Sequence, residues 1–325
     1  MDRGLRHAVG PSVAQTLLLL AVLGLAGTIL AGGESTVTLA FTGDIMLGRS
    51  VALAHAEGGW EQTLAALAPY VTAADLAFAN LESPLTSAPL LHEGHDLRAP
   101  AASAQALSAA GFDLVSLANN HVLDASAPGL EDTLHALQEI GIEAVGPGNE
   151  VLSFHLRDLT IVWLALDDTN QQGDASAIRE RLDAWRQRMD LLVVSIHWGE
   201  EYQVSPSPRQ RLLAAELAAA GVDLIVGHHA HVLQPVEWIW GEGRGRPTLV
   251  AFGLGNALFD QGAPPLVRCG ATLLVEIGTE GVRRVEAVAH VIEPGRWETA
   301  NASPAESKEI ANSLGLACGE VRGCR

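Results

Sequence analysis

Cationic side chains are scarce in this chain: 20 Lys and Arg stand against 38 Asp and Glu, a formal net charge of -18 over 325 residues. Binding to a phosphate backbone needs clustered Lys and Arg, so this balance argues against a nucleic-acid partner. It argues equally against loose adsorption to an anionic membrane. An anionic substrate would have to be drawn in locally, by a metal ion or a few arginines. Cysteine is also sparse, with three residues and no zinc-finger spacing. There is no Gly-x-Ser-x-Gly elbow, no P-loop and no dinucleotide fingerprint after a strand. Internal repeats and low-complexity tracts are absent as well.

Apolar residues are plentiful. They make up 48% of the chain against 18% charged, enough for a sizeable core and unlike a disordered chain. Arg3, Arg6 and His7 precede an apolar stretch over residues 13–30, the charged-then-hydrophobic order of an export segment. Ala31-Gly32-Gly33 suits a small-residue cleavage site. Residues 1–33 fit either a cleaved signal peptide or a retained signal anchor, and the chain beyond Glu34 is expected to be extracytoplasmic, secreted or membrane-anchored. Cys318 and Cys324 flank a short polar loop and could form a disulfide, in keeping with export, which leaves Cys269 as a small buried residue.

Strand-like and helical runs alternate over residues 35–294, which predicts one α/β domain. Helices are expected over residues 101–110, 128–140, 177–189 and 208–220, the last started by Pro206 and Pro208 and stopped by Gly221. Further strands are expected over residues 160–166, 248–252, 271–277 and 282–291. Residues 83–100, rich in Pro, Ser and His without periodicity, form a candidate lid or substrate loop. Residues 295–325 read as a polar tail with one short helix, about 304–316.

Five apolar runs each end on a metal-ligand type of residue. Thr38-Leu39-Ala40-Phe41 leads to Asp44, and Leu76-Ala77-Phe78-Ala79 leads to Asn80-Leu81-Glu82. Leu114-Val115-Ser116-Leu117 leads to Asn119-Asn120-His121, and the run from Leu191 to Ile196 leads to His197-Trp198. Val222-Asp223-Leu224-Ile225-Val226 leads to Gly227-His228-His229-Ala230-His231. Ligands gather at the carboxyl ends of strands in open α/β sheets, so these ends describe one metal site assembled from distant segments. Gly227 is expected to let the backbone turn sharply, and His229 and His231 to share a side, with His228 facing away. Alternation sends Asn80 and Glu82 to one face and leaves open which is the ligand. Mixed oxygen and nitrogen donors suit Mn, Fe or Zn better than Mg or Ca. An imidazole such as His121 that does not bind metal can protonate a leaving group near neutral pH.

These segments resemble the bacterial CapA family of poly-γ-glutamate capsule-synthesis proteins. The matching stretches are Gly43-Asp44-Ile45-Met46-Leu47-Gly48-Arg49, Asn80-Leu81-Glu82-Ser83-Pro84-Leu85, Ser116-Leu117-Ala118-Asn119-Asn120-His121, His197-Trp198-Gly199-Glu200-Glu201-Tyr202, Gly227-His228-His229-Ala230-His231-Val232-Leu233-Gln234 and Leu254-Gly255-Asn256. The resemblance implies a metallophosphoesterase-like α/β/β/α sandwich. It implies Asp44, Asn120, His197, His229 and His231 as ligands to one or two divalent ions, Glu82 near a bridging carboxylate, and His121 as the general acid. Arg49, Asn80, Trp198 and Asn256 are the candidate substrate contacts. Two departures stand out: Met46 occupies a position that is histidine in phosphoesterases, and Asn80-Leu81-Glu82 replaces an aspartate motif. A third is Ala257, where the family has an aromatic. The implied activity is metal-dependent hydrolysis of an anionic envelope polymer or a phosphorylated small molecule. The alternative is a non-catalytic accessory that binds polymer or a membrane capsule synthase.

Overall fold

The computed structural model describes residues 36–91, 94–148, 150–169, 178, 180, 185 and 188–324. The expected export segment and most of the helix expected over 177–189 lie outside the described residues.

The strands in chain order are β1 (Val37–Ile45), β2 (Leu76–Leu81), β3 (Leu114–Ser116), β4 (Glu143–Val145), β5 (Val151–Leu156), β6 (Leu159–Asp167), β7 (Leu191–His197) and β8 (Leu224–His228). They continue with β9 (Leu233–Ile239), β10 (Thr248–Leu254), β11 (Asn256–Leu258), β12 (Cys269–Gly278), β13 (Gly281–Glu293), β14 (Glu298–Asn301) and β15 (Val321–Arg322). One sheet has the order β14-β13-β12-β1-β2-β3-β4, with β11 beside β1 and β15 beside β13. The other has the order β5-β6-β7-β8-β10-β9. β1, β2, β3 and β4 run parallel, as do β6, β7, β8 and β10. Strands buried on both faces read as continuous apolar runs, which is why β7, Leu-Leu-Val-Val-Ser-Ile-His, is buried along its whole length.

The two sheets pack face to face. Phe41 of β1 and Phe78 of β2 meet Trp163 of β6 at ring-centroid distances of 5.3 and 4.7 Å. Val193, Val226 and Leu273 join the same buried layer. Fully burying a side chain of this kind stabilises by ~1.5–3 kcal/mol relative to exposure.

Helices cover the outer faces. Those given labels are α1 (Arg49–Ala54), α2 (Gln105–Ala110), α3 (Ser126–Glu139), α4 (Pro208–Ala220) and α5 (Pro304–Leu314). Leu107 of α2 and Leu137 of α3 pack with Val115 on the first sheet, and Leu213 and Leu217 of α4 pack with Val194 and Phe252 on the second. The result is the expected α/β/β/α sandwich. α4 matches its expected bounds because both ends are specified: a capping box between Ser207 and Gln210, and Gly221 at φ 105°.

The segment after residue 294 departs from the expected tail. β14 pairs with β13, and α5 buries Ile310, Ala311 and Leu314 in the layer between the sheets. Those three positions share one helix face, which an overall polar composition conceals. Cys318 and Cys324 are joined in a disulfide with Cα atoms 5.4 Å apart. Among the described residues no helix is long and apolar enough to cross a membrane.

Candidate metal centre

The carboxyl ends of β1, β2, β7 and β8 and the loop after β3 meet in one buried cluster. Asp44, Glu82 and His197 each offer a ligand atom within 4.8 Å of the others, and all three are buried. Gly43 makes this approach possible, since a Cβ there would lie 2.0 Å from the Gly255 carbonyl oxygen. Gly227 acts similarly and differs from the expected turn residue. It lies inside β8, where a Cβ would meet the Phe252 carbonyl oxygen at 2.1 Å and Trp198 Nε1 at 2.3 Å. The sharp turning happens at the histidines themselves, with φ of 88° at His229 and 56° at His231.

Asn80 ties the carboxylates together. Its Nδ2 donates to Asp44 Oδ1 at 2.8 Å and to Glu82 Oε1 at 3.2 Å, and lies 3.3 Å from His197 Nδ1. Asn119 braces Asn80 and the Leu81 carbonyl, and its Oδ1 accepts from the His121 backbone N–H. Asn120 Oδ1 lies 2.8 Å from His197 Nε2, which is itself 3.9 Å from Glu82 Oε1. His121 Nδ1 pairs with Asp124 Oδ2 at 2.8 Å, and its Nε2 faces Asn120 Nδ2 at 3.1 Å.

Charge in the cluster is divided unevenly. Burial alone would raise the Asp44 pKa, but His228, His231 and His197 outweigh it and hold that carboxyl well below the usual carboxylate range. Glu82 moves the other way, raised by burial and then by Asp44 and Glu201. Burial and the neighbouring His229 push His197 down, so it is a neutral imidazole, the form that binds metal. Burial followed by His231 does the same at His229.

The donor set fits a divalent ion. Ligand bonds of ~2.0–2.2 Å place neighbouring ligand atoms ~3–3.5 Å apart. The Asn120–His197 separation of 2.8 Å and the Glu82–His197 separation of 3.9 Å bracket that spacing. Glu82 Oε2 is buried with no hydrogen-bond partner among the described residues and lies 3.9 Å from His231 Nε2. An unpaired buried carboxylate oxygen is costly unless a cation or proton meets it.

The cluster thus brings together Asp44, Asn80, Glu82, Asn120, His121, His197 and His231, with His229 at its rim: its ring centroid is 4.7 Å from that of His197. Two of the expected substrate contacts lie elsewhere. Trp198 is fully buried, donates to the Phe252 carbonyl and stacks on the Phe252 ring. Strand alternation turns it to the helix-covered face, opposite His197. Asn256 is also fully buried. Its Oδ1 lies 3.0 Å from His231 Nδ1 and its Nδ2 donates to the Val267 carbonyl, so it orients an imidazole and offers substrate no surface. Arg49 remains partly exposed, paired with Asp260 and positioned over the Phe259 ring at 5.4 Å.

Several participants were not singled out from sequence. His228 is buried as expected, yet its Nδ1 comes within 3.2 Å of Asp44 Oδ1. Asp124 supports His121, and only its three-residue spacing from that histidine hinted at it. Glu201 groups with His229 and His231, with ligand atoms within 4.8 Å of one another.

The comparisons with known proteins cover the same segments. A family model described as bacterial capsule synthesis protein PGA_cap matches residues 38–261. The chain is 31% identical over 292 residues to the capsule biosynthesis protein CapA of Bacillus anthracis, covering 77% of this chain and 69% of that protein. It is 27% identical to a probable polyglutamine synthesis accessory protein of Mycobacterium tuberculosis, over 71% of this chain and 76% of that protein. Among solved structures, a novel phosphatase from Mycoplasma pneumoniae superposes with a TM-score of 0.55 at 15% identity, over 81% of this chain and 96% of that one. That likeness shows the fold, a metallophosphoesterase-like sandwich. The family match spans most of the domain and includes every strand end that feeds the candidate metal centre, and the chain belongs to the bacterial capsule synthesis protein PGA_cap family.

Proposed function

We propose that this protein is an exported, metal-dependent hydrolase of capsule or polyglutamate synthesis, acting on a phosphoester or a γ-glutamyl amide. The observation that carries this reading is the convergence of Asp44, Glu82 and His197, three buried ligand types from three separate strands. Asp44, Glu82, Asn120 and His197, with His229 and His231, would hold one or two ions of Mn, Fe or Zn. Glu82 is the better ligand of the pair left open by the sequence, because Asn80 is engaged in bracing both carboxylates. A bound divalent ion supplies Lewis acidity and makes a nucleophile of water at neutral pH.

The chain's own groups do the rest. Asp124 fixes the ring of His121 through Nδ1, so that its other nitrogen can deliver a proton to a leaving group. Arg49 offers a partly exposed cation at the mouth of an otherwise acidic chain and would orient an anionic substrate. Asn256 keeps the His231 proton on Nδ1 and leaves Nε2 toward Glu82.

A second reading has its own support. Met46 is buried with its sulfur accepting from the Gly48 N–H at 3.0 Å, so the residue two positions after Asp44 gives no ligand. That feature, and the accessory role named for the Mycobacterium tuberculosis relative, favour a protein that binds polymer or a membrane synthase without hydrolysing it.

Metal analysis of the purified protein, paired with a chelator-sensitive screen of phosphoesters and γ-glutamyl amides, separates the two. The hydrolase reading expects bound transition metal and an activity that His121→Ala lowers ~10²–10⁴-fold in kcat with metal content unchanged. Bound metal with no hydrolysis of either class would favour the accessory reading.

A further inference from the structure

The end of the second sheet opposite the metal centre carries a feature that the proposed chemistry does not use. Of the seven tryptophans in the chain, Trp238 and Trp240 are the exposed ones, at 49% and 67%. Trp238 lies on the edge strand β9 and pairs with Leu249, near the amino end of β10. It shares a strand face with Val236, which packs toward the layer between the sheets, whereas Ile239 packs on the helix side. We infer that these two tryptophans are the platform of a separate binding site, one for an uncharged glycan chain.

The fold leaves a depression on each side of Trp238. α5 packs on β9 and β13 and ends at Gly315, where φ is 68°. Beyond that end a cavity of about 500 Å³ opens, floored by Val236, Leu249, Val285 and Leu316 and edged by Arg284 and Glu286. On the other flank a cavity of about 200 Å³ separates Trp238 from Glu280 and Gly281 at the start of β13, with Asp223 and Arg246 in its wall. The indole is a ridge between two hollows, a shape that suits an elongated ligand lying across it.

Charge decides which class of chain fits. Three arginines and four acids line the two hollows, so no net positive field draws in a polyanion or an anionic lipid surface. The polar groups are held in pairs. Arg246 Nε donates to buried Asp223 at 2.9 Å, and Arg246 Nη2 donates to the Asp190 carbonyl at 3.1 Å. Glu286 accepts from Arg284 and from Arg322, the second at 2.8 Å. A stable protein interface takes about 800 Å² per partner around a core depleted of charge; here ion pairs border the indole on both flanks. The groove thus presents a flat apolar face between fixed donors and acceptors. A sugar ring matches both parts. Its C–H face lies on the electron-rich face of an indole, and its hydroxyls donate and accept, so they bond to carboxylate and guanidinium alike.

This site is independent of the metal-dependent reading, and its test involves no hydrolysis. Full-length protein is titrated with chitohexaose and with cellohexaose, two uncharged sugar chains, by calorimetry and tryptophan fluorescence. Poly-γ-glutamate and phosphatidylcholine vesicles are titrated in parallel, and sedimentation follows self-association. The expected result is saturable binding of at least one oligosaccharide with a change in tryptophan emission. Trp238→Ala and Trp240→Ala should each weaken it about tenfold, the scale of losing an aromatic face with its buried area, and Trp238→Phe should retain part of it. Leu212→Ala, an exposed apolar side chain on α4, should change nothing. Trp240 is exposed enough that its loss should leave the melting temperature in place, which separates lost binding from lost folding. No binding of either oligosaccharide at millimolar concentration, or binding that both alanine variants leave intact, would overturn the inference. So would tryptophan-dependent binding of the polyanion, the vesicles or a second copy of the chain in place of the sugar.

Discussion

The deep and rim halves of the cluster are built in opposite ways. In the deep half, Asp44 lies within β1, Glu82 directly follows β2, and His197 ends β7, so the backbone of the two sheets fixes where they point. In the rim half, His229, His231 and the Glu201 loop depend on left-handed residues and side-chain ties between loops. Regular strands give a rigid, dry ligand set; loops give an adjustable one open to solvent. The pairing suits a site that keeps one charge in place while its mouth admits substrate or ion.

Removing the central carboxylate breaks the deep half most severely. Asp44→Asn takes away the charge that faces His228, His231 and His197. Mn²⁺ affinity should fall more than ~100-fold, beyond the 10–100-fold range for groups that only support a ligand. Calorimetric titration checks this, and unchanged Mn²⁺ binding would place the ion elsewhere.

A smaller effect contrasts these histidines with one that lacks a carboxylate. His290 packs under Gly270, where a Cβ would meet its Nε2 at 2.3 Å, and burial pushes its pKa down to about 4. Its unfolded-state value is 6.5. Above that value both states are neutral and the fold bears no cost. As pH falls from 6.5 towards 4 the unfolded chain takes up a proton that the folded one refuses, so stability drops by ~1.4 kcal/mol per pH unit. Denaturant melts across that window should show a shallower pH slope for His290→Gln than for the wild type.

The deep half was legible in the sequence because buried parallel strands announce themselves as unbroken apolar runs, and the residue at the end of each run could be read directly. The period of two also puts Asn80 and Glu82 on one face, but the Asn80 amide's hydrogen bonds to both carboxylates depend on the neighbouring strand and carry no local signal. That same period, applied to His197-Trp198, turns Trp198 away from His197 and onto the helix-covered face, where it lies. The rim was harder to read. His229 and His231 do share a side as expected, but through left-handed backbone and not through extended alternation. Glu201 was hidden because its placement depends on the turn from Gly199 to Tyr202 and on the distant Gln234. Short strands such as β4 and β11 carry too few residues to show a period. The last thirty or so residues read as a tail because their few apolar side chains are diluted, although α5 gathers them on one face.

Crystals soaked in Mn²⁺ and measured at its absorption edge would test the central claim most directly. The account predicts an anomalous peak within bonding distance of Asp44 or Glu82 and of His197. Clean density for those side chains with no peak among them, or a peak bound only at surface carboxylates, would contradict it.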